Sequence, residues 1–318
     1  MRFLITGVAG FVGRHLVQYL SSVYPSAIIF GFDVVQSTDI GQEIGGFHYR
    51  PANLLDKEKV LQLMAEARPD RIVHLASFSS VSYSWENPSE SFLNNSLIFI
   101  NIIEAVRHEC PECRLLSVGS SEEYGKADHL PGPIAENQPL SPTSPYAVAR
   151  VSQEMLSAVF AKGYGLDIVM TRSFNHIGPY QRDSFVLPSF AKQFIQAERA
   201  GQKKLELLCG DLEVVRDFTD VRDVVRAYDL LLRFAERGEV YNVCSGRGQK
   251  LLDVIRLMEK LTGIEAFLNV DKSLIRPLEN RSIVGDNSKI AALCGWQAER
   301  SFESSVADVL EYWRTVVQ

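Results

Sequence analysis

Three observations predict an α/β fold, a doubly wound parallel sheet with a smaller C-terminal lobe. Short apolar runs such as Phe3-Leu4-Ile5 alternate along the chain with stretches of helical spacing. These runs are apolar throughout, which is typical of strands covered on both faces. The first run ends in a glycine turn at Thr6–Gly13, and a helical stretch follows it. Strand, glycine turn and helix in this order indicate a dinucleotide-binding Rossmann unit.

The later elements are predicted by the same contrast between buried runs and helical periodicity. We expect strands at 27–32, 47–50, 71–77 and 114–118, and helices at 57–67, 89–108 and 144–162. Helical stretches near 221–235, 250–261 and 302–315 are interpreted as scaffold of the smaller lobe. The dinucleotide-binding domain is predicted over 1–174, with some later segments returning to it. The remainder, 175–318, is expected to bind mainly the substrate.

The glycine turn predicts a pyrophosphate site. A side chain at Gly7 would clash in the turn, and one at Gly10 would keep a phosphate off the backbone. Gly13 allows the helix to approach the strand. The first helical turn, with Phe11 and Val12, offers free N–H groups to the phosphates. The spacing is G-x-x-G-x-x-G, so a turn that only joins strand to helix is the alternative.

Asp33 indicates which cofactor binds. It follows the apolar run 27–32, twenty residues after Gly13. A carboxylate there can accept hydrogen bonds from the adenosine ribose hydroxyls of NAD, and it would repel the 2′-phosphate of NADP. No Arg or Lys follows closely, so NAD(H) is favoured over NADP(H). The alternative is a solvated turn residue.

Composition and charge exclude several classes of function. The chain has 318 residues, 46% of them apolar, and a net charge of −6, which leaves no electrostatic footprint for nucleic acid or an anionic membrane. No apolar run approaches a membrane span, and the first strand begins at residue 2, so we expect a cytoplasmic protein. The odd cysteine count indicates reduced thiols. The single pair Cys110 and Cys113 lacks partners for a zinc site, and no metal is predicted.

The middle of the chain predicts proton and hydride transfer. Ser120 follows a buried strand, at the edge where open parallel sheets place ligands. Tyr146 and Arg150 are four residues apart, on one face of a predicted helix. A permanent cation stabilises a phenolate, and a serine hydroxyl can hold a substrate oxygen. Taken singly, the three also fit a loop serine, a packed aromatic ring and a solvated charge.

The chain resembles the extended short-chain dehydrogenases/reductases that act on nucleotide sugars, over almost its whole length. Within that family the motifs are most similar to those of GDP-6-deoxy-D-mannose reductases, and GDP-mannose 4,6-dehydratases are close relatives. The motifs are TGVAGFVG at 6–13, HLAS at 74–77, Asn95 in the long helix, SSEEYG at 120–125, SPYAVAR at 144–150, RSFNHIGPYQ at 172–181, SFV at 184–186, RDFTDVRD at 216–223, YNVCSG at 241–246 and RPLENRSIVGDNSK at 276–289.

The resemblance implies NAD(P)H-dependent reduction of the 4-keto group of GDP-4-keto-6-deoxy-D-mannose to GDP-D-rhamnose. A GDP-mannose 4,6-dehydratase, another nucleotide-sugar epimerase or dehydratase, and a non-catalytic binding protein are the alternatives. In a dehydratase Glu122 would remove a proton from the sugar. The implied catalytic residues are Ser120, Glu122, Tyr146 and Arg150, of which Tyr146 and Arg150 also contact the cofactor. Further cofactor contacts are Asn53, Leu54, Leu75, Ala76 and Ser77. Substrate contacts are Ser79, Asn175, Val186, Lys192, Arg216, Arg276 and Glu279.

Some of these residues have ordinary alternatives. Arg216 and Arg276 suit a diphosphate because a guanidinium fork matches phosphate geometry. Arg216 could instead pair with Asp217 or Asp220, and Lys192 could be solvated. His176 is as consistent with a structural histidine as with a ligand.

The chain departs from the family pattern at two positions. Arg150 stands where the family has Lys. Arg keeps the charge but cannot readily release a proton, so we expect Arg150→Lys to raise the rate. Asn53 stands where relatives usually carry Asp, a mild change.

The resemblance also implies a homodimer through the helices near 89–108 and 146–162, where the apolar run 97–100 fits either an interface or plain core packing.

Overall fold

A seven-stranded parallel sheet forms the centre of the computed structural model, which describes residues 1–41, 44–126, 132–275 and 277–317. The sheet order is β3-β2-β1-β4-β5-β6-β10. These strands are β1 (Arg2–Thr6), β2 (Ile28–Asp33), β3 (Phe47–Pro51), β4 (Arg71–His74), β5 (Arg114–Ser120), β6 (Asp167–Ser173) and β10 (Val240–Val243). The strand order reverses between β1 and β4, which opens a crevice at their carboxyl ends. The predicted doubly wound sheet is confirmed.

Helices cover both faces of this sheet. They are α1 (Phe11–Val23), α2 (Lys57–Ala67), α3 (Val81–Glu86), α4 (Pro88–Glu109), α5 (Pro145–Gly163), α7 (Val221–Phe234) and α9 (Ser288–Cys294). Strand β1 shows why the strands are apolar throughout. Phe3 and Ile5 enter the apolar cluster that contains α1, α7 and α9, whereas Leu4 enters the cluster of α2, α4 and α5. Each successive side chain therefore needs an apolar neighbour.

The smaller lobe has its own sheets and core. Strand β9 (Val215–Asp220) pairs with β7 (Asn175–Ile177), β11 (Gly248–Lys250) and β13 (Ser282–Ile283), and β8 (Lys204–Cys209) pairs with β12 (Glu265–Val270). The helices α6 (Val186–Arg199), α8 (Leu251–Thr262) and α10 (Phe302–Val316) pack around Phe194, Met258 and Trp313. This cluster is separate from the two that cover the large sheet.

One placement of a helix was wrong. The segment 221–235 was expected to support the smaller lobe, but α7 packs on α1, and Tyr228 and Leu231 share the cluster of Phe3. The apolar face of α7 matches the surface that α1 and the sheet leave open, which its local periodicity could not reveal. The strand β10 also lies in the large sheet, since later segments return to it. The division at residue 174 stays a prediction.

Strand β4 is shorter than the predicted 71–77. It ends at His74, because the main-chain ladder with β1 ends there: the Leu75 N–H still donates to the Thr6 carbonyl (3.1 Å), whereas the Ala76 N–H donates to the Thr6 side chain, at Oγ1 (3.3 Å). The five cysteines are free thiols. Among the described helices, none combines the length and apolar character that a membrane span requires.

Candidate active site

The glycine turn has the shape that a pyrophosphate requires. Gly7 has φ +69°, and a Cβ there would lie 2.7 Å from the Ala76 nitrogen. A Cβ on Gly13 would lie 2.3 Å from the Val8 carbonyl oxygen, so α1 could not approach the turn. Gly10 is the N-cap of α1 and no side chain caps this end, where Phe11 and Val12 begin the helix. The turn therefore fits a phosphate group bound by backbone N–H groups.

Asp33 lies beside this turn at the end of β2. Its Oδ2 accepts a hydrogen bond from the Ala9 N–H (2.9 Å), so the carboxylate is held against the glycine turn. Next to it, Asn53 is exposed and its Oδ1 accepts from the Leu55 N–H (3.1 Å). Leu54 is buried, and its carbonyl accepts from Asn101 Nδ2 (2.9 Å). The structure thus places the residues predicted to bind the adenosine, Asp33, Asn53 and Leu54, at or just after the carboxyl ends of β2 and β3.

The chain after β4 crosses beneath the same turn. Burial lowers the pKa of His74 to about 3, so its ring is neutral, and its Nδ1 lies 2.8 Å from Thr6 Oγ1. Ser77 Oγ is buried without a hydrogen-bond partner among the described residues, which leaves it available to a ligand. Ser79, two residues on, is exposed. Leu75 and Ala76 thus lie against Gly7 of the turn, and the contacts of Leu75, Ala76 and Ser77 with a cofactor stay predictions.

Tyr146 and Arg150 are in direct contact within the first turns of α5. Arg150 Nε donates to the Tyr146 hydroxyl (3.2 Å), and both side chains are buried. Arg150 Nη1 also donates to the Val118 carbonyl (3.0 Å) and to Gln153 Oε1 (2.7 Å). Since Val118 belongs to β5, the guanidinium joins α5 to the strand that ends at Ser120. The predicted phenol–cation pair is therefore present in the structure.

Ser120 is the last residue of β5 and caps the short 3₁₀ turn Ser121–Tyr124. Its Oγ accepts from the Glu122 N–H (3.3 Å), and its own N–H donates to Glu123 Oε1 (2.7 Å). The helix α5 packs against both β5 and this turn. Ser120 is thus anchored on the elements that surround Tyr146.

A narrow cleft connects this region with the C-terminal segment. Its lining includes Trp85, Glu122, Ser144, Glu279 and Asn280. Glu122 and Glu279, predicted to act at the same substrate, are therefore brought to one cleft. Both lobes contribute to the lining of this cleft.

Arg216, which is buried, forms an ion pair with the half-buried Glu279, 63 residues further along the chain. Arg216 also donates from Nη1 to the Val215 carbonyl (2.9 Å). The suggested alternative partners are wrong: Asp217 accepts from Ser245, and Asp220 is paired with Arg222. Arg276 lies outside the described residues.

The remaining predicted substrate residues are not gathered at this pair. Lys192 on α6 pairs with Asp183 (2.6 Å), and its Nζ lies 5.8 Å from the centre of the Trp313 ring. Val186 begins α6 and packs on the smaller lobe's core, whereas Asn175 begins β7 and is half-buried. Their roles stay predictions.

His176 has the environment of a structural residue. Burial lowers its pKa to about 4, and its Nε2 lies 3.3 Å from the Tyr228 hydroxyl. A neutral, buried ring beside a buried phenol is consistent with a structural role rather than with binding an anionic substrate.

The prediction from the sequence did not include three residues of the site. Gln153 orients Arg150, and its position three residues after Arg150 could have revealed it by helix spacing. Trp85 and Asn280 line the cleft, and Asn280 Oδ1 is buried without a partner among the described residues. No local pattern distinguishes these two, since only the approach of distant segments brings them together.

Known proteins show the same overall construction. The family model described as GDP-mannose 4,6 dehydratase matches residues 4–309. The GDP-6-deoxy-D-mannose reductase of Pseudomonas aeruginosa is 32% identical, over 100% of this chain and 98% of that protein. The solved structure of RMD from Pseudomonas aeruginosa, complexed with NADPH, has a TM-score of 0.83 at 30% identity, covering 99% of this chain and 100% of that one.

A second solved structure extends the comparison to epimerases. The UDP-glucose 4-epimerase of Thermus thermophilus, in complex with NAD, has a TM-score of 0.88 at 27% identity and full coverage of both chains. The resemblance drawn from the motifs is thereby confirmed. The chain belongs to the GDP-mannose 4,6-dehydratase family, within the extended short-chain dehydrogenases/reductases that include NAD(P)-dependent nucleotide-sugar reductases, dehydratases and epimerases.

Proposed function

We propose that this protein is an NAD(P)H-dependent reductase of a nucleotide-linked 4-keto-6-deoxyhexose, which forms GDP-D-rhamnose from GDP-4-keto-6-deoxy-D-mannose. The observation that carries the proposal is the hydrogen bond from Arg150 Nε to the Tyr146 hydroxyl, next to the end of β5. A phenol held by a permanent cation can release its proton to a ketone oxygen and remain stabilised as phenolate. The 32% identity to a reductase of this substrate supports the choice of sugar.

Each residue then has a defined role. The bound nicotinamide supplies the hydride that the ketone carbon accepts. Tyr146 gives its proton to the ketone oxygen, and Ser120 Oγ donates a hydrogen bond to the same oxygen. Arg150 stabilises the tyrosinate through the bond from its Nε and is itself fixed by Val118 and Gln153. The charge left on Tyr146 is thus compensated without movement of the cation.

The cofactor is bound by the glycine turn and Asp33. The turn residues (Gly7, Gly10 and Gly13) admit a pyrophosphate, and Asp33, held by the Ala9 N–H, accepts from the adenosine ribose. The contacts of Asn53, Leu54, Leu75, Ala76 and Ser77 with the cofactor belong to this proposal. NAD(H) is favoured because the carboxylate would repel a 2′-phosphate, although the related reductase structure contains NADPH.

The GDP moiety is bound across the cleft by the smaller lobe. Arg216 faces the diphosphate, while Glu279 pairs with Arg216 and accepts from a ribose hydroxyl. The further substrate contacts in this proposal are Ser79, Asn175, Val186, Lys192 and Arg276.

A 4,6-dehydratase is the second candidate, favoured by one observation. Glu122 lines the cleft together with Glu279, so a carboxyl group lies beside the proposed sugar site, where a dehydratase needs a general base. Such an enzyme would recycle its cofactor and would consume no added NAD(P)H.

We also propose a homodimer formed through α4 and α5. The run 97–100 divides between two environments, because Ile98 and Phe99 are buried in the core whereas Leu97 and Ile100 are exposed. The exposed apolar residues of the two helices are Leu93, Leu97, Ile100, Val148, Met155 and Val159. An apolar face of this size supports an interface between copies. Leu97→Glu should halve the mass measured by light scattering, and an unchanged mass would exclude this surface.

The decisive experiment supplies freshly made GDP-4-keto-6-deoxy-D-mannose with NADH or NADPH and follows absorbance in parallel reactions. The reductase proposal expects stoichiometric cofactor oxidation and a GDP-6-deoxyhexose product. Unchanged absorbance with the ketone would overturn it. Formation of the same ketone from GDP-mannose would then establish the dehydratase.

A further inference from the structure

Two carboxyl groups lie against each other behind the proposed active site. Glu123 is fully buried and Glu154 is 9% exposed, and the charge of Glu154 acts on the Glu123 carboxyl. Glu123 Oε1 accepts from the Ser120 N–H (2.7 Å). Its Oε2 is buried without a donor among the described residues. The proposed reaction uses neither carboxyl.

The surrounding charges decide which carboxyl is ionised. Arg172 on β6 binds Glu154 with two donors, Nε to Oε2 at 2.8 Å and Nη2 to Oε1 at 2.7 Å, so Glu154 is the carboxylate. Glu123 faces that carboxylate in a dry environment, and two adjacent negative charges there are strongly unfavourable. Burial and the charge of Glu154 raise the pKa of Glu123 well above its usual value. The burial of both groups and the single guanidinium beside them therefore favour one proton on Glu123.

Few other polar groups surround this pair. From the 3₁₀ turn, the Tyr124 ring lies 4.7 Å from the Arg172 guanidinium carbon, and its hydroxyl donates to Asn242. In the loop before α5, the Glu136 carbonyl accepts from Arg172 Nη1 (3.0 Å), and the Glu136 carboxylate accepts from the Asn242 N–H. Among the residues that the structure describes, the pair thus faces one cation, Arg172, which Glu154 already neutralises.

The pair connects the two elements that carry the reacting groups. Glu154 lies eight residues after Tyr146 and four after Arg150, on the same face of α5. Glu123 lies three residues after Ser120, in the turn that Ser120 caps. A Cβ on Gly119 would lie 2.4 Å from Glu123 Oε1, so this arrangement also requires the glycine before Ser120.

We propose that Glu123 is a positioning residue, a neutral acid that accepts from the Ser120 N–H while donating its proton to Glu154, and so fixes Ser120 relative to Tyr146. The catalytic consequence of this inference rests on the proposed function. The shared proton is independent of that function, because it is a property of the folded chain. Loss of that proton at high pH leaves two carboxylates against one guanidinium and displaces the turn that holds Ser120.

Three variants test this role. In Glu123→Gln the amide still accepts from Ser120 and donates to Glu154, but it does not titrate. In Glu123→Val both bonds are lost. Glu112→Gln alters an exposed glutamate and is the matched control.

The first measurement is the midpoint of thermal unfolding between pH 6 and pH 9, which needs no substrate. A group whose folded pKa is raised loses stabilisation as pH rises from its unfolded pKa to its folded pKa, by up to about tenfold in the unfolding constant per pH unit. Tm of the wild type and of Glu112→Gln should therefore fall with pH more steeply than that of Glu123→Gln. Parallel falls in all three proteins would overturn the shared proton.

The second measurement is kcat and KM with the ketone across the same pH range. Glu123→Val should lower kcat about ten- to a hundredfold with little change in the cofactor KM, because Ser120 is misplaced. Glu123→Gln should restore most of kcat and extend activity to higher pH. A Gln variant as slow as the Val variant would overturn the positioning role. Because the thermal result stands without turnover, failure of the proposed function is distinguishable from failure of this inference.

Discussion

The cofactor half and the substrate half of the site differ in how their residues meet. Gly7, Gly13 and Asp33 lie within the first 33 residues, in the turn after β1, on α1 and at the end of the adjacent strand β2. Arg216 and Glu279 are 63 residues apart and meet through an ion pair between β9 and the segment before β13. The first half is built from consecutive βα units, whose geometry is fixed locally. The second half depends on distant segments, so its pairings follow from the packing of the smaller lobe.

The catalytic residues combine both kinds of contact. Tyr146 and Arg150 meet within one helical turn, which spacing alone predicts. Arg150 also contacts Val118 across 32 residues, a bond that depends on the docking of α5 onto β5. Four substitutions test whether local and long-range contacts have separable functions.

The largest expected effect is at Tyr146. Tyr146→Phe removes the proton donor and the acceptor of the Arg150 Nε bond, so kcat should fall about 10²–10⁴-fold while cofactor affinity changes little. Steady-state kinetics with the ketone and fluorescence titration of NADH measure the two quantities. Tyr164→Phe, at the exposed end of the same helix, is the control. A retained kcat would remove Tyr146 from the mechanism.

Arg216 should affect the binding of the substrate rather than that of the cofactor. Arg216→Met removes the guanidinium proposed for the diphosphate, and the nucleotide-sugar KM should rise about tenfold or more, since charged hydrogen bonds contribute about 1.5–3 kcal/mol. Lys192→Met should have a smaller effect, because Lys192 is partly exposed and paired with Asp183. Equal effects of the two variants would contradict the proposed diphosphate site. An unchanged cofactor KM would confirm that the two halves act separately.

Asp33 should control the choice between NADH and NADPH. Asp33→Asn removes the negative charge but keeps an acceptor for the Ala9 N–H, so the ratio of kcat/KM for NADPH to that for NADH should rise about tenfold. Asp33→Ala should give the same shift in preference with a lower Tm, because the glycine turn loses its hydrogen bond. No change in the ratio would show that specificity lies elsewhere.

The smallest effect is expected at Arg150. Arg150→Lys keeps the cation and restores a group that can exchange a proton, so kcat should rise a few-fold. The ammonium cannot reproduce the fork that reaches Val118 and Gln153, and the free energy of unfolding should fall by about 1 kcal/mol. Kinetics and thermal unfolding measure the two changes. An unchanged or lower kcat would refute the advantage of Lys.

The sequence predicted much of the fold, because local rules govern those parts. The helix α2 occupies the predicted 57–67, where Asp56 accepts from the Lys59 N–H as N-cap. The β4 boundary and the placement of α7 were wrong, since both depend on contacts with elements distant in sequence. In the site, the position of Ser120 after β5 was predicted, whereas its anchoring by Glu123 was not.

By itself, the sequence determined the doubly wound sheet, the glycine turn, the carboxylate after β2 and the Tyr146–Arg150 pair. These features rest on periodicity, backbone sterics and helix spacing, which act over a few residues. Only the tertiary structure decided that Arg216 pairs with Glu279, that Asn280 and Trp85 share a cleft with Glu122, and that the Glu123 carboxyl is buried beside Glu154. Charges and polar groups find partners wherever burial makes isolation costly, and the partner's place in the chain carries no local signal.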